Sequence, residues 1–442
     1  MAASALLTGH TLLVFLVHVT IVLTGAVVLG RIAVRIGLPP LVGELTAGVL
    51  LGPGLWSHVP AIGHWVVPGQ PVEMAMIDAI GQLGVILMVG IAGMHLDLAK
   101  ARKRYRVALR ISAPGLVIPF GLGAGVAFLI PAGMRSEGAS LPIFAMFIGV
   151  ALCVSAVPVI AKTLLDMRLI ERNVGQLILM AGSIDDAVGW LLLSVVSASA
   201  ATGLAVGGVF RALVMLAIMV AVTVTVGRLA VNRIMRSAAA SRDGQLVATG
   251  AAVVLILVFA TLSQAMHLEA VLGAFLCGTL LRTALEPLGL QLENLRLFVL
   301  SVLAPFYFAT AGMRLDLGSL LTRDAIVAGS LVIFVAIVGK FLGAAIGGAL
   351  SGMRRWETIA VGAGMNARGV VEIVVATVGL NAGILTPSMY SVIVLLAIVT
   401  SVMAPPILRF AMARVSVAEE EKIGPLVDEV PNAIGIENAR KE

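Results

Sequence analysis

Charged residues are scarce in this sequence. Asp, Glu, Lys and Arg make up 12% of the 442 residues, whereas 60% are hydrophobic and the mean hydropathy is +1.07. Soluble domains carry about 25% charged residues, so the composition excludes an ordinary soluble protein. It predicts an all-α polytopic membrane protein. We also expect that the protein is not an enzyme and has no cofactor.

Cysteine is scarce, and we expect no cleavable leader. The two cysteines, Cys153 and Cys277, both lie in apolar runs, which excludes a disulfide framework. The first apolar run, at about 12–30, has no basic segment before it and no clear cleavage site, so we expect a retained span. The net charge of +6 reflects basic loops. We therefore expect contact with membrane lipid and none with nucleic acid.

Long apolar runs are abundant and predict about thirteen transmembrane helices. Their limits are about 11–35, 39–56, 76–98, 106–130, 142–165, 174–200, 205–232, 244–265, 268–282, 295–313, 324–350, 356–380 and 386–412. The predicted membrane domain covers residues 1–412, and residues 413–442 are expected to form a short disordered cytoplasmic tail.

The distribution of basic residues predicts the orientation. Loops after alternate spans are rich in them: Arg31 and Arg35, then 100–110, 162–172, 228–242, 282–296, and Arg354 with Arg355. The other loops hold little beyond Arg135, Arg211, Arg314 and Arg323. Because basic loops stay in the cytoplasm, we expect a multi-pass protein of the cell membrane with its N-terminus outside and its C-terminus inside.

The chain also repeats itself. Residues 92–98 (AGMHLDL) and 311–317 (AGMRLDL) match at six of seven positions, and a weaker match pairs the Gly43–Gly48 segment with the Gly273–Gly278 segment. By the charge assignment the two copies end on opposite membrane sides. This predicts inverted repeats at about 11–200 and 244–412, with a linker helix at about 205–232.

Two adjacent carboxylates lie deep inside one span. Asp185 and Asp186 interrupt an apolar run, and the nearest preceding charge, Arg172, is roughly 20 Å away along a helix. Ionisable groups near the bilayer midplane are costly and are usually functional. The pair therefore predicts a site for a cation and a proton.

Lys340 lies at a similar depth, and its side chain is too short to reach either membrane interface. It therefore needs a carboxylate partner, such as one of this pair. The alternative that the two form a purely structural ion pair stays open.

Two spans carry signals of interrupted helices. Ser155 and Pro158 lie in one, where proline removes a backbone donor, and Asn366 lies in a glycine-rich stretch of the other. The alternative is that these prolines and glycines serve only close packing of uninterrupted helices.

Arg368 and Glu372, spaced i and i+4, are predicted to form a structural ion pair. Glu44 stays open between a structural and a functional role, and His10, His18 and His95 fit no metal-ligand cluster.

Together these segments resemble the monovalent cation:proton antiporter-2 family, which has the fold of the NapA- and NhaA-type sodium/proton antiporters. The resemblance is carried by residues 38–53, by Asp185 and Asp186, by Lys340, and by residues 364–372 (GMNARGVVE). It implies two crossing broken helices, a core domain, a separate dimerisation domain and a homodimer. It also implies that Asp186 is the principal ion ligand and that Lys340 pairs with Asp185.

The function expected from this site is secondary active antiport. A monovalent cation, with sodium favoured over potassium and lithium, would compete with protons for the aspartates by alternating access. If Lys340 released its own proton when Asp185 turned to the ion, two protons would move per cation. A sodium-coupled solute symporter of related fold and a potassium/proton efflux antiporter stay open as alternatives.

Overall fold

A computed structural model describes residues 9–52, 71–94, 98–156, 172–202, 206–290, 292–315 and 317–415, together with residues 160, 164, 167 and 169. Across these ranges the chain is helical, apart from turns and an isolated β-bridge between Arg135 and Leu385. Ten described helical segments are long and apolar enough to cross a membrane, and three shorter apolar helices accompany them. The all-α polytopic class is thereby confirmed, while the count of thirteen crossings stays a prediction.

The helices follow the predicted spans closely. The first half comprises α1 (Gly9–Arg35), α2 (Pro40–Leu51), α3 (Pro71–Met94), α4 (Leu98–Val126), α5 (Leu141–Cys153) and α6 (Asn173–Thr202). A π-helical turn, Thr223–Gly227, joins α7 (Val206–Val222) to α8 (Arg228–Ala239). The second half comprises α9 (Gly244–Ala265), α10 (Ala270–Leu285), α11 (Glu293–Phe298), α12 (Ala304–Met313), α13 (Leu317–Leu320), α14 (Arg323–Leu350), α15 (Arg355–Met365), α16 (Val370–Asn381) and α17 (Pro387–Met412).

Smaller elements complete these halves. A second π-helical turn, Val299–Leu303, joins α11 to α12, and short 3-10 helices occur at Ala132–Met134 and Glu286–Leu288. The expected disordered tail falls almost wholly on residues 416–442, which lie outside the described residues.

Helix contacts divide the described chain into two bundles. The aspartate bundle consists of α4, α5, α6 and α14–α17, and the second bundle consists of α1–α3, α9, α10 and α12. The α7–α8 pair connects them, because α7 packs on α6 whereas α8 packs on α9 and α10. Direct contacts between the bundles are few, so they meet along a narrow seam.

Glycines let the two sequence repeats cross in the second bundle. A Cβ added to Gly48 on α2 would collide with the carbonyl oxygen of Ala309 on α12, and one added to Gly278 on α10 would collide with that of Gly90 on α3. Gly48 and Gly278 are equivalent in the repeat noted above. Each crossing therefore joins a helix of one repeat to a helix of the other through direct backbone contact.

The turns after α1 and α9 also correspond. Gly37 has a φ of 81° and His267 a φ of 59°, and the two positions are related by the same offset as the glycine match. In each turn a leucine N–H donates back to the helix, from Leu38 to Ala33 O at 2.8 Å and from Leu268 to Ser263 O at 3.0 Å. This is the left-handed ending that commonly terminates helices. His267 shows that the repeat keeps the geometry even where glycine has been replaced.

The glycine crossings give a prediction for stability. Gly48→Ala and Gly278→Ala should each lower the free energy of unfolding by about 1–3 kcal/mol, because an added methyl forces the backbones apart. Thermal unfolding of the purified protein in detergent measures the loss. Gly250→Ala on α9 is the control, since no atom of the described residues lies within 4 Å of its added Cβ. Equal Tm values for the three variants would contradict the crossing argument.

Candidate functional site

Two helices of the aspartate bundle are broken, and their non-helical segments cross. The α5 helix ends at Cys153 and continues as an extended strand-like segment through Ala156, while α15 ends at Met365 and α16 begins at Val370. The Ala156 N–H donates to Ala367 O at 3.2 Å where the segments meet. The predicted contribution of Pro158 to this break lies outside the described residues. The crossing leaves helix-end carbonyl groups inside the protein.

Arg368 satisfies the carbonyl groups at the end of α5. Its guanidinium donates to Ala151 O at 2.7 Å and to Leu152 O, and its Nη1 lies 3.0 Å from Oε1 of Glu372. Both charged side chains are buried. A cation at the C-terminal end of a helix is favourable because the carbonyl dipoles point at it. Arg368 therefore closes the first broken helix, and Glu372 balances its charge.

Asp185 is the centre of a buried polar cluster. Lys340 Nζ lies 2.8 Å from Asp185 Oδ2, the Ser155 hydroxyl lies 3.0 Å from the same oxygen, and the Ser112 hydroxyl lies 2.6 Å from Oδ1. All four residues are at most 1% exposed. A buried ion pair is tolerated only when further hydrogen bonds satisfy the remaining lone pairs. Here both carboxylate oxygens are satisfied.

Ser155 joins this cluster to the second broken helix. Its oxygen accepts a hydrogen bond from Lys340 Nζ at 2.8 Å, and its hydroxyl also lies 2.9 Å from Met365 O. A serine hydroxyl has only one proton to donate. It can serve either Asp185 or the last carbonyl of α15, so Ser155 links the charge state of the cluster to the helix break.

Close packing of α14 on α4 brings Lys340 into the cluster. Added Cβ atoms on Gly339, Gly343 and Gly347 would press on the α4 backbone at Pro119, Pro114 and Ile111. Glycine at every fourth position lets two helix backbones approach directly. Ser112 follows Ile111 on α4, and Lys340 follows Gly339 on α14. One contact surface thus positions two of the partners of Asp185.

Asp186 and Asn366 are two further buried polar residues of the aspartate bundle. Asp186 follows Asp185 on α6 and is 4% exposed. Asn366, directly after α15, is fully buried, and within the described part of the chain neither of its amide atoms has a hydrogen-bond partner. Buried polar groups are normally hydrogen-bonded, so an exception indicates a functional site or an absent ligand.

The remaining sequence candidates lie elsewhere. Glu44 is buried in the second bundle, where its side chain packs against Gly30 of α1. His18 is buried on α1, while the side chain of His10 and all of His95 fall outside the described residues. Sequence reasoning missed Ser112. A serine within an apolar helix is too common to signal a contact with a particular carboxylate.

A polar seam joins the bundles at the end of the molecule where α6, α12 and α16 terminate. Tyr390 Oη donates to Ala311 O at 2.8 Å, and Arg314 reaches Asn381 Oδ1 at 3.2 Å while pairing with Asp78 at 2.7 Å. A small cavity with room for about one water molecule lies here, lined by residues that include Asp78, Gln82, Tyr307, Thr310, Arg314 and Thr377.

Glu269 adds another contact between the bundles at this end. Its carboxylate accepts a hydrogen bond from the Ser197 hydroxyl, near the end of the helix that carries the aspartates. Glu269 lies between α9 and α10, and its burial raises the pKa of the carboxyl group, which the hydrogen bond from Ser197 partly opposes. Glu269 therefore takes up a proton more readily here than a carboxyl group in water does.

Comparisons with known proteins agree with this architecture. The family model described as "Sodium/hydrogen exchanger, transmembrane" matches residues 19–414. The Na(+)/H(+) antiporter NhaS4 of Synechocystis is 28% identical over 403 residues, covering 90% of this chain and 97% of that protein. The K(+)/H(+) antiporter 1 of Saccharomyces cerevisiae is 28% identical over 84% of this chain, which spans only 43% of the yeast protein.

A solved structure shares the fold. The sodium proton antiporter MjNhaP1 from Methanocaldococcus jannaschii at pH 8 superposes with a TM-score of 0.68 at 15% identity, covering 91% of this chain and 99% of that one. The fold of this chain is therefore shared with a membrane protein of known structure. By the extent of the family match, the chain belongs to the sodium/hydrogen exchanger transmembrane family.

The Asp185–Lys340 contact gives a prediction for stability. Lys340→Ala should destabilise the protein by about 3–5 kcal/mol, because it leaves a buried carboxylate without its counter-charge. Adding Asp185→Asn should restore part of the loss. Thermal unfolding of both single variants and the double variant measures the coupling.

The exposed pair Arg296–Glu293, at 3.3 Å, is the control for this cycle. Its double-mutant cycle should give at most about 0.5 kcal/mol, because solvent screens exposed ion pairs. If the losses in the free energy of unfolding from Lys340→Ala and Asp185→Asn simply add in the double variant, the two residues do not stabilise each other.

Proposed function

We propose that this protein is a secondary active antiporter that exchanges a monovalent cation, with sodium favoured, for protons. The observation that carries the proposal is a second buried carboxylate, Asp186, directly beside one that is already satisfied. Asp185 is held by Lys340, Ser112 and Ser155. The family match and the antiporter names of the relatives support exchange over solute symport.

Asp186 is the proposed exchanging group. A carboxylate removed from water is stabilised by a bound proton or by a bound cation, and the two compete for it. Cation binding therefore releases a proton, and protonation releases the cation. Lys340 serves as the counter-charge of Asp185, so the site holds a fixed ion pair next to an exchangeable carboxylate.

The broken helices supply the proposed neutral ligands. Asn366 has a buried amide oxygen without a hydrogen-bond partner among the described residues, and Ser155 has a hydroxyl oxygen at the crossing. Small monovalent cations of the sodium type are hard ions that prefer oxygen ligands. In this proposal the helix break exists to bring amide, hydroxyl and carboxylate oxygens together.

Access is proposed to alternate by movement of the aspartate bundle against the second bundle. The positive-inside rule places the polar seam on the outer side of the cell membrane, with the N-terminus outside and the C-terminus in the cytoplasm. The contacts made by Tyr390, Arg314 and Glu269 then close the outer path. The second bundle carries none of the proposed ion ligands, so we propose that it stays stationary while the aspartate bundle moves. We also propose that two copies of the protein form a homodimer in the membrane through this second bundle.

The central test is Asp186→Asn. The amide keeps the size and polarity of the side chain but cannot titrate, so cation-evoked proton movement should fall to background. A pH dye trapped in everted vesicles reports the exchange, with sodium, lithium and potassium added in turn. The ratio of the three signals identifies the transported cation.

Asp324→Asn is the matched control, because Asp324 is an exposed carboxylate at the start of α14 and should be dispensable. Substantial exchange by a folded Asp186→Asn protein would overturn the proposal. Solute-dependent sodium uptake without proton movement would instead identify a symporter.

The seam gives a second test, through Tyr390→Phe. Removing one neutral hydrogen bond of about 1 kcal/mol should raise the population of the open seam about fivefold. Thr310→Cys in the cavity provides the reporter, read by its labelling rate with an impermeant maleimide from either membrane side. The native cysteines, Cys153 and Cys277, are both buried and give little background.

Thr400→Val is the control on the same helix, since among the described residues the Thr400 hydroxyl bonds only to carbonyl groups of α17. It should leave the labelling rate unchanged. Faster labelling from the cytoplasmic side alone would reverse the proposed orientation. Equal labelling of the Tyr390→Phe and Thr400→Val proteins would show that the seam contact does not control access.

A further inference from the structure

Ser112 makes an unusual contact for a hydroxyl in an apolar helix. Such hydroxyls commonly donate to the carbonyl four residues earlier on their own helix, as Ser199 does to Val195 O at 2.7 Å. Ser112 instead donates to another helix, from α4 to the Asp185 carboxylate on α6. Both residues are fully buried. The contact therefore links α4 to α6 by a hydrogen bond to a charged carboxylate.

The three donors to Asp185 are unevenly distributed over its two oxygens. Lys340 and Ser155 both reach Oδ2, whereas Ser112 is the described donor to Oδ1. A hydroxyl-to-carboxylate bond of 2.6 Å is a short, charge-assisted hydrogen bond. By holding Oδ1 it fixes the rotation of the carboxylate, and Oδ2 is then directed at Lys340.

The position of Ser112 is itself fixed by backbone packing. The neighbouring Ile111 and Pro114 on α4 lie against Gly347 and Gly343 of α14. A group on two tightly packed helices is placed more accurately than one on a loop. Ser112 and Lys340 thus approach Asp185 from one rigid pair of helices.

We propose that Ser112 is a positioning residue for cation/proton exchange: it holds Asp185 on Lys340 while Asp186 takes up and releases the ion. This inference rests on the proposed function. It assigns a role in the reaction to a residue outside the aspartate pair and outside both helix breaks.

The expected effect is a change in pH dependence. A hydrogen bond donated to a carboxylate favours its ionised form. Ser112→Ala removes one such bond from the site. In Ser112→Ala the pH of half-maximal exchange should rise by about one unit. The Ser112→Ala change leaves the charged groups around Asp185 unaltered. These groups are Asp186 on α6, Lys340 on α14, and the pair Arg368 and Glu372, which lies near Cys153 at the end of α5.

The experiment compares exchange across pH in everted vesicles for the wild type, Ser112→Ala, Ser112→Thr and Ser199→Ala. Ser112→Thr keeps the hydroxyl and should restore the wild-type profile. Ser199→Ala removes an equally buried hydroxyl that, within the described part of the chain, bonds only to its own helix. Its profile should therefore match the wild type. Should Ser112→Ala fail to fold, Ser112→Cys replaces it, because a thiol keeps the size but donates weakly.

Two outcomes would overturn the role of Ser112. One is an unshifted profile in Ser112→Ala or Ser112→Cys while exchange still requires Asp186. The other is an equal shift in Ser199→Ala, which would trace the effect to general loosening of α6. Retained exchange in Asp186→Asn is a separate result that removes the proposed function itself, so the two failures are distinguishable.

Discussion

The compensation of one buried charge, Asp185, is the constraint on which the aspartate bundle depends. A carboxylate in a membrane interior is stable only with a counter-charge and donors for its remaining lone pairs. Lys340 on α14, Ser112 on α4 and Ser155 in the extended segment after α5 meet this requirement. Their convergence dictates the close approach of α14 to α4 and the position at which α5 stops being helical. The neighbouring Asp186 is the group proposed to exchange the cation and the proton.

The same constraint explains why the two bundles differ in construction. The second bundle is held together by glycine-mediated backbone crossings, such as that of Gly48 with α12, which need no charge. The aspartate bundle instead contains two interrupted helices and the buried cations Lys340 and Arg368. Few direct contacts join the described parts of the two bundles. Those at the seam are mostly isolated contacts between polar groups. Weak, replaceable contacts between two well-packed bodies suit a movement of one against the other.

Much of this arrangement could be predicted from the sequence because it depends on depth and periodicity. The depth of Lys340 along its span indicated a carboxylate partner, and its contact with Asp185 measures 2.8 Å. The i, i+4 spacing placed Arg368 next to Glu372. The contact of Ser112 could not be predicted, since it depends on how α4 is rotated against α6. The contacts of Arg368 with the end of α5 and the whole seam were also missed, because both join segments more than 65 residues apart.

The different surroundings of Arg368 and Lys340 bear on the number of protons that would be exchanged for each cation. Arg368 faces helix carbonyl groups, where a permanently charged, planar donor is suited to a fixed cap. Lys340 faces a carboxylate, and a lysine can give up its proton once that carboxylate turns away. Such a turn of Asp185 would also break its bonds with Ser112 and Ser155. In the proposed exchange, the lysine proton would leave only when the bound cation offsets the loss of all three contacts. We therefore propose that the strength of this small cluster, rather than the presence of lysine alone, decides between one and two protons per cation.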